Sequence, residues 1–155
     1  MENKIIKTLN ELKSLVEDLK NKGKTIVTTN GVFDILHVGH IRYLKEAKKF
    51  GDVLIVAVNS DFSVKQLKKG PNRPRIGEKE RAEVLAALES VNYVYIFNEP
   101  NPVEFLRVIK PNVHVKGGDY KIEQIIEKDV VEENNGRIEL IPEIKGWSTT
   151  EILEG

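Results

Sequence analysis

Apolar residues recur along the chain in two alternating patterns, one typical of helices and one typical of buried strands. At the start they recur at steps of three and four from residue 5 to residue 19, which predicts an amphipathic helix that ends near Gly23. Short β-branched or continuously apolar runs follow, separated by stretches with helical spacing. These runs predict five strands, over residues 25–29, 53–59, 93–97, 113–116 and 137–141.

The stretches between the strands predict the helices. Helical spacing covers residues 38–50, 79–89 and 123–134, Pro102 opens another helix, and a last helix is expected from Ser148. Strands that alternate with helices in this way are typical of βαβ units. We therefore expect an α/β fold, a Rossmann-like, doubly wound parallel sheet of five strands with helices on both faces. Residues 1–155 are expected to form a single domain, with the amphipathic helix of residues 1–22 packed on it.

Composition and charge narrow the function classes. The chain has 24 Lys+Arg and 24 Asp+Glu, so its formal net charge is zero, which disfavours nucleic acid and membrane surfaces as partners. It has no cysteine, which excludes disulfides, thiolate metal sites and a cysteine nucleophile. The longest apolar run covers residues 53–58, far short of the roughly 20 residues that span a membrane. A cytoplasmic protein is expected.

The strongest chemical signal is TNGVFDILHVGH (residues 29–40), which runs from the first strand into the next helix. His37 and His40 are three residues apart, so both imidazoles lie on one side of the first helical turn. That turn also presents unpaired backbone N–H groups, and Gly39 lets a phosphate approach the backbone closely. The pattern predicts a phosphate site. Two alternatives stay open: a metal site completed by Asp34, and two surface histidines that only cap the helix.

A basic segment follows the second strand. Residues 62–81 contain seven basic and two acidic side chains, in a chain whose net charge is zero. This local excess indicates a mobile loop that closes over phosphates. RNA binding is an alternative, but Phe62 is the only aromatic residue of the segment that could stack on a base. A solvated basic loop is another, and it is the preferred interpretation for Lys65, Arg75 and Lys79.

Two later segments have the composition of nucleotide sites. The glycines of VKGGDY (residues 115–120), after the fourth strand, would let a base or a ribose lie against the backbone. Near the end, Ser148 or Thr149 is a natural N-cap, and Glu151 completes a capping box with Ser148. Hydroxyl and N–H groups at a helix start also bind phosphate oxygens. A tight turn and a simple helix cap are the structural alternatives.

Together these segments resemble the nucleotidylyltransferases with an HxGH signature, whose first strand runs into GxFDxxHxGH. The resemblance extends through VAVNSD, ERAEVLAAL, VKGGDY and STTEI, and favours the branch that acts on D-glycero-β-D-manno-heptose 1-phosphate. It implies transfer of AMP from ATP to this sugar 1-phosphate, with release of pyrophosphate and formation of ADP-heptose. Direct in-line attack at the α-phosphate, Mg²⁺ bound with ATP, a homodimer and a separate heptose kinase upstream are implied as well.

The resemblance also implies roles for individual residues. His37 and His40 are implied as catalytic contacts to the phosphates, together with Lys68 and Lys69. Adenine and ribose are expected outside the fourth strand. Substrate-binding roles fall on Asp34, Asn59, Asp61 and Arg73. Nucleotide-binding roles fall on Asn30, Gly31, Val32, Phe33, Gly39, Arg81, Lys116, Gly117, Gly118, Asp119, Ser148, Thr149 and Thr150.

Departures from the family pattern keep two other functions open. Cytidylyltransferases that use CTP and glycerol 3-phosphate usually carry RTEGIST where this chain has EIKGWST (residues 143–149), so the arginine is missing. A non-catalytic nucleotide-binding regulatory module is the second alternative, and the intact histidines, lysines and STT speak against it. The heptose branch usually reads LKGxxRP where this chain has KKGPNRP (residues 68–74), so Lys68 and Lys69 compete for one phosphate-contacting position.

Overall fold

The computed structural model describes residues 4–68, 70–118 and 121–142, and within these ranges strands and helices alternate. The strands are β1 (Ile26–Gly31), β2 (Val53–Asn59), β3 (Tyr93–Phe97), β4 (Val113–Gly117) and β5 (Arg137–Ile141). The α-helices in these ranges are α1 (Leu9–Asn21), α2 (Val38–Lys48), α3 (Asp61–Gln66), α4 (Glu78–Ala86), α5 (Val103–Ile109) and α6 (Lys128–Glu133). None of the helices in this part of the chain is long and apolar enough to cross a membrane.

The five strands form one parallel sheet in the order β3-β2-β1-β4-β5. The central strand, β1, pairs with β2 on one side, where Ile26 lies opposite Val53, and with β4 on the other, where Val27 lies opposite Val113. The chain therefore adds strands first on one side of β1 and then on the other. In such sheets the ligand crevice lies at the carboxyl edge, where the strand order reverses. The predicted fold class is confirmed, and the ends of β1 and β4 meet at that crevice.

Each face of the sheet has its own apolar core. Ile26 and Ile55 belong to the core under α1, α5 and α6, whereas Val27 and Val56 belong to the core under α2 and α4. All seven residues of β2 are buried, as expected for a strand that helices cover on both faces. Burial on both faces stabilises the sheet, and residues at its carboxyl edge are therefore held in fixed positions.

The first helix begins later than the apolar spacing predicts. Thr8 is its N-cap, and the Thr8 hydroxyl accepts a hydrogen bond from the Glu11 amide at 3.1 Å. Ile5 lies before this cap and forms a parallel bridge with Val94 of β3. The apolar residues at the start of the chain therefore serve two structures, an addition to the sheet edge and then a helix on the core.

Two segments between strands also differ from the sequence prediction. Residues 123–134 do not form one helix: a 3-10 turn at Ile122–Gln124 is followed by Ile125, which is buried with an extended backbone, before α6 begins. The segment after β2 is not a loop throughout, because α3 begins directly after Ser60. The Ser60 hydroxyl accepts a hydrogen bond from the Ser63 amide at 3.0 Å, as an N-cap does.

Candidate active site

The turn between β1 and α2 fixes the imidazole rings of His37 and His40. His37 is the N-cap of α2 and His40 is its third residue, and the two side chains form a reciprocal capping box. The Gly39 amide donates to His37 Nδ1 at 3.0 Å, and the His37 amide donates to His40 Nδ1 at 3.2 Å. Because each Nδ1 accepts a hydrogen bond, each neutral ring carries its hydrogen on Nε2. The turn thus holds two Nε2–H donors at the amino end of a helix.

The surroundings keep both rings uncharged at neutral pH. Their centroids are 3.8 Å apart and the rings are stacked. Burial, with a smaller contribution from the charge of His37, lowers the pKa of His40 to about 4. Burial also lowers the pKa of His37. Neutral N–H donors at the positive end of a helix dipole are suited to anionic oxygens, and phosphate oxygens are the common case.

Gly31 and Phe33 shape the backbone that leads to the histidines. Phe33 has a positive φ of 50°, and its ring lies over Gly31. A Cβ at residue 31 would come within 2.8 Å of that ring, so any other residue would have to displace the ring. The same ring meets His40 edge-on, with centroids 5.4 Å apart. Both predicted nucleotide-binding residues therefore lie beside the histidines, and Phe33 contacts one of them directly.

Asp34 anchors the segment that follows α3. Its side chain is fully buried, and its carboxylate accepts hydrogen bonds from Arg73 Nε, the Arg75 amide and the Ile76 amide, each at 2.9 Å. Burial alone would raise the pKa of Asp34, but these hydrogen bonds and the Arg73 charge outweigh it and lower the pKa. Protein donors therefore occupy the oxygens of Asp34, which positions Arg73, and the substrate-binding role of Asp34 stays a prediction.

Arg81 joins the ends of β1 and β2. Its side chain is fully buried, and its guanidinium donates to the carbonyls of Val32, Asn59 and Ile76 and to the Asp61 carboxylate, at 2.7–2.8 Å. Its hydrogens are thus directed to protein oxygens after β1 and β2, and the nucleotide-binding role of Arg81 stays a prediction. Asn59 is also buried, whereas the Asp61 side chain remains 42% exposed. Of these predicted contacts, Asp61 is the one that a ligand can reach.

The end of β4 lies beside the end of β1. Lys116 Nζ is 3.4 Å from Asn30 Oδ1 at the end of β1, and 3.1 Å from Oε1 of Glu127, which precedes α6. Gly117 is exposed, and Gly118 has a positive φ of 109°, which favours glycine. The two glycines leave the backbone open at this edge, in keeping with the predicted position of a base or a ribose.

The basic segment after β2 borders an open cavity of about 390 Å³. The cavity is lined by Lys65, Lys68, Gly70, Pro71 and Arg73. Two residues predicted to contact phosphate or substrate, Lys68 and Arg73, are thus brought together. Lys65 lines the same cavity, although the sequence favoured a purely solvated role for it. The cavity wall therefore carries three cationic side chains within the described residues.

Several predicted site residues lie outside the described residues. They are Lys69, Asp119, Ser148, Thr149 and Thr150, and the predicted last helix lies there too. Their roles stay predictions. The described residues contain no group of three or more His, Cys, Asp or Glu side chains that could hold a metal ion. The alternative metal site completed by Asp34 therefore has no support in this part of the chain.

Three residues near the site, Thr29, Tyr43 and Glu127, are given no role of their own by the sequence. Thr29 Oγ1 donates to the Val115 carbonyl at 2.9 Å, and the Tyr43 hydroxyl lies 2.6 Å from the same Oγ1, so β1, β4 and α2 are linked just below the crevice. Glu127 is buried against Lys116. Each of these residues acts through a partner in another element. A single polar residue in an apolar strand or in a charged segment gives no sequence pattern from which that partner could be predicted.

Comparisons with known proteins agree with this geometry. A family model described as cytidylyltransferase-like matches residues 28–155. The bifunctional protein HldE of Geotalea uraniireducens is 51% identical over 149 residues, which is 96% of this chain and 30% of that protein. The HldE of Geobacter metallireducens is 52% identical, with the same shares covered. The chain thus spans about 30% of the length of these curated relatives.

Two solved structures are also similar. The lipopolysaccharide core biosynthesis protein from Thermoplasma volcanium has a TM-score of 0.66 and 30% identity, over 79% of this chain and 98% of that one. The pantoate-β-alanine ligase from Francisella tularensis, complexed with β-γ ATP and β-alanine, has a TM-score of 0.63, with 96% of this chain and 75% of that one covered. At 19% identity, this second likeness shows the fold alone.

Proposed function

Because the chain belongs to the cytidylyltransferase-like family, we propose that it transfers AMP from ATP to D-glycero-β-D-manno-heptose 1-phosphate. The products are ADP-heptose and pyrophosphate. The segments that resemble the heptose-phosphate branch support this acceptor, as does the similarity to the HldE proteins over 96% of the chain. The same similarity does not favour CTP with glycerol 3-phosphate, nor a regulatory module without catalysis.

The observation that carries the proposal is the reciprocal capping of His37 and His40. Two Nε2–H donors stand side by side at the start of α2, and their Nδ1 atoms are already engaged by the backbone. Donors fixed before the ligand arrives need no reorganisation when negative charge develops on a phosphate. This arrangement is suited to stabilising the α- and β-phosphates of a nucleoside triphosphate.

The reaction needs alignment more than acid–base chemistry. An oxygen of the acceptor phosphate, which is already anionic, attacks the α-phosphorus of ATP. The bond from that phosphorus to the α–β bridging oxygen breaks, and pyrophosphate leaves with the electron pair. No general base and no covalent intermediate are required, so the protein contributes positioning and charge stabilisation. His37 and His40 donate to the reacting phosphates, and Lys68 or Lys69 neutralises the acceptor phosphate or the pyrophosphate.

The finer parts of the proposal concern the cofactor and the surroundings of the enzyme. We propose that Mg²⁺ binds together with ATP, because proteins usually hold this ion through substrate phosphates and water with only one or two carboxylates. The resemblance to the heptose branch supports a cytoplasmic homodimer. It also supports a kinase reaction that supplies the sugar 1-phosphate.

The test is pyrophosphate release in a matrix of two nucleotides and two acceptors. ATP or CTP is offered with Mg²⁺ against heptose 1-phosphate or glycerol 3-phosphate. Turnover is expected only for ATP with heptose 1-phosphate. Turnover of CTP with glycerol 3-phosphate would contradict the proposal and would show that the chain acts as a cytidylyltransferase. No turnover in any arm, with ATP still bound in a calorimeter, would favour the regulatory module.

A further inference from the structure

Glu127 is a buried carboxylate that the proposed reaction does not use. Its side chain is 4% exposed, and its Oε1 accepts a hydrogen bond from Lys116 Nζ at 3.1 Å. The same ammonium donates to Asn30 Oδ1 at 3.4 Å. Asn30 ends β1, Lys116 lies on β4 and Glu127 precedes α6. The three side chains therefore meet where the strand order reverses, on the side of the sheet opposite α2.

The exposure of the two charged groups differs in a way that points to a ligand. A buried ion pair is a costly means of holding a helix, because desolvation offsets most of the Coulomb attraction. The Glu127 side chain is buried, but the Lys116 side chain is 19% exposed at the crevice. An ammonium has three N–H donors, and two of them have acceptors among the described residues, Glu127 and Asn30. A ligand in the crevice can take the third.

The combined charge of Lys116, Glu127 and Asn30 indicates what kind of ligand these side chains bind. Glu127 neutralises the ammonium of Lys116, whereas the described residues that line the open cavity around Lys65 and Lys68 include no carboxylate. A neutralised ammonium offers a directed N–H rather than net positive charge, and the oxygens of Glu127 and Asn30 beside it are acceptors. Donors next to acceptors match hydroxyl groups, which both donate and accept. A phosphate is better matched by cations without a neighbouring carboxylate.

We propose that Lys116, Glu127 and Asn30 form a hydroxyl-binding site, in which Glu127 positions the Lys116 ammonium for vicinal hydroxyls. The hydroxyls come from the ribose of the nucleotide or from the sugar of the acceptor, and this part rests on the proposed function. The site contributes to binding and not to the chemical step, because the histidines on the other side of the sheet act on the phosphates.

The experiment removes the donor and the hydroxyls in turn. Wild type and Lys116→Met are titrated calorimetrically with ATP, 2′-deoxy-ATP and 3′-deoxy-ATP. They are then titrated with the sugar 1-phosphate and its monodeoxy analogues in the presence of a non-hydrolysable ATP analogue. We expect Lys116→Met to weaken one hydroxyl-bearing ligand about tenfold, as one charged hydrogen bond predicts, and to leave a deoxy analogue of it unchanged. A loss of affinity for ATP identifies the ribose as the source of the hydroxyls. A loss of affinity for the sugar 1-phosphate identifies the acceptor sugar as their source.

Two results would overturn the site. Lys116→Met could weaken the deoxy analogues as much as their parents, which would identify a phosphate contact. It could also leave every affinity unchanged. Because binding is measured without turnover, the ATP arm does not depend on the adenylyltransferase proposal, and a sugar 1-phosphate that fails to bind the wild type counts against the proposed function and not against the site.

The positioning role of Glu127 has its own variants. Glu127→Gln keeps an acceptor and is expected to weaken the same ligand less than Glu127→Ala does. The double variant Lys116→Met/Glu127→Gln should bind the ligand no more weakly than Lys116→Met, because Glu127 acts through Lys116. Lys128→Met, which breaks the neighbouring surface pair with Glu132, is the control and should bind normally. A lower Tm for Glu127→Ala without any loss of affinity would reduce Glu127 to a structural residue and contradict the proposal.

Discussion

The turn after β1 and the segment after β2 serve the same edge of the sheet but are built differently. In the turn, His37, His40 and Asp34 each accept hydrogen bonds from backbone N–H groups, so their positions are determined by the main chain. In the segment, Lys65 and Lys68 are exposed around an open cavity. Backbone contacts fix direction, whereas an exposed lysine retains several rotamers and acts mainly by its charge. The difference separates groups that suit a transition state from groups that attract a ligand.

The two regions are nevertheless connected. Asp34 belongs to the turn and holds Arg73 of the cavity wall, and Arg81 ties the carbonyls of both regions to α4. A disturbance of the cavity wall can therefore reach the histidines through buried hydrogen bonds. The predictions that follow separate the rigid turn, its connection and the exposed segment.

The largest effect is expected in the turn itself. His40→Ala removes one fixed donor, so kcat should fall about 10²–10³-fold in the pyrophosphate-release assay. The lost cap should lower the free energy of unfolding in urea by only about 1 kcal/mol. Lys45→Ala, on the exposed side of the same helix, is the control and should change neither. If activity and stability fell together by the same free energy, His40 would be a structural residue.

The connection between the regions should be next in magnitude. Asp34→Asn removes the buried charge that Arg73 and two amides share, and it should lower the free energy of unfolding by about 2–3 kcal/mol. Urea denaturation measures this loss. Glu104→Gln, which breaks an exposed pair with Arg107, should cost less than about 0.5 kcal/mol. A similar small cost for Asp34→Asn would show that the two regions are independent.

Acid should weaken the regions that bury neutral histidines. Burial, and to a smaller extent the Lys116 charge, lowers the pKa of His114 to about 3, and that of His40 is about 4, against 6.5 in the unfolded chain. Between pH 6.5 and pH 4 the unfolded state binds more protons, so stability falls on acidification by up to about 1.4 kcal/mol per pH unit for each group. Urea midpoints at pH 8, 7 and 5 should be similar at the first two and lower at the third. An unchanged midpoint at pH 5 would contradict the burial of these rings as neutral groups.

The smallest effect is expected in the exposed segment. Lys68→Met should raise the KM for the sugar 1-phosphate about fivefold to tenfold with little change in kcat, and the difference from wild type should shrink in 0.5 M salt. Lys69→Met tests the competing lysine, and the exposed Lys79→Met is the control. A fall in kcat as large as that of His40→Ala would remove the distinction between the two regions.

The fold was predictable because its signals are local. The runs at β2, β3 and β5 have the bounds that the sequence predicts, since apolar residues on both faces of a strand leave few other structures. The errors occur where one residue overrides a periodic pattern. Thr8 caps α1 after Ile5 has already joined the sheet, and Ile125 turns inward to the core and so interrupts the predicted helix.

The site was predictable only in part, for the same reason. His37 and His40 bond across three residues, so their spacing carries the signal. Asp34 bonds to an amide 41 residues away, and Arg81 to a carbonyl 49 residues away. No periodicity encodes such distant partners. The sequence could name these residues by resemblance, but it could not distinguish a ligand contact from a buried support, and it gave Glu127 no role at all.

The contact between Gly31 and Phe33 sets a limit on how this enzyme could be redesigned. A library aimed at new acceptors can vary the exposed Lys65 and Lys68 of the cavity wall but should keep Arg73, which Asp34 of the turn holds. Position 31 is closed to such variation, because any side chain there displaces the Phe33 ring, whose edge meets His40. Because the displaced ring would no longer pack against His40, we expect such a variant to turn over slowly, and a rate measurement is the test that a library at this position needs.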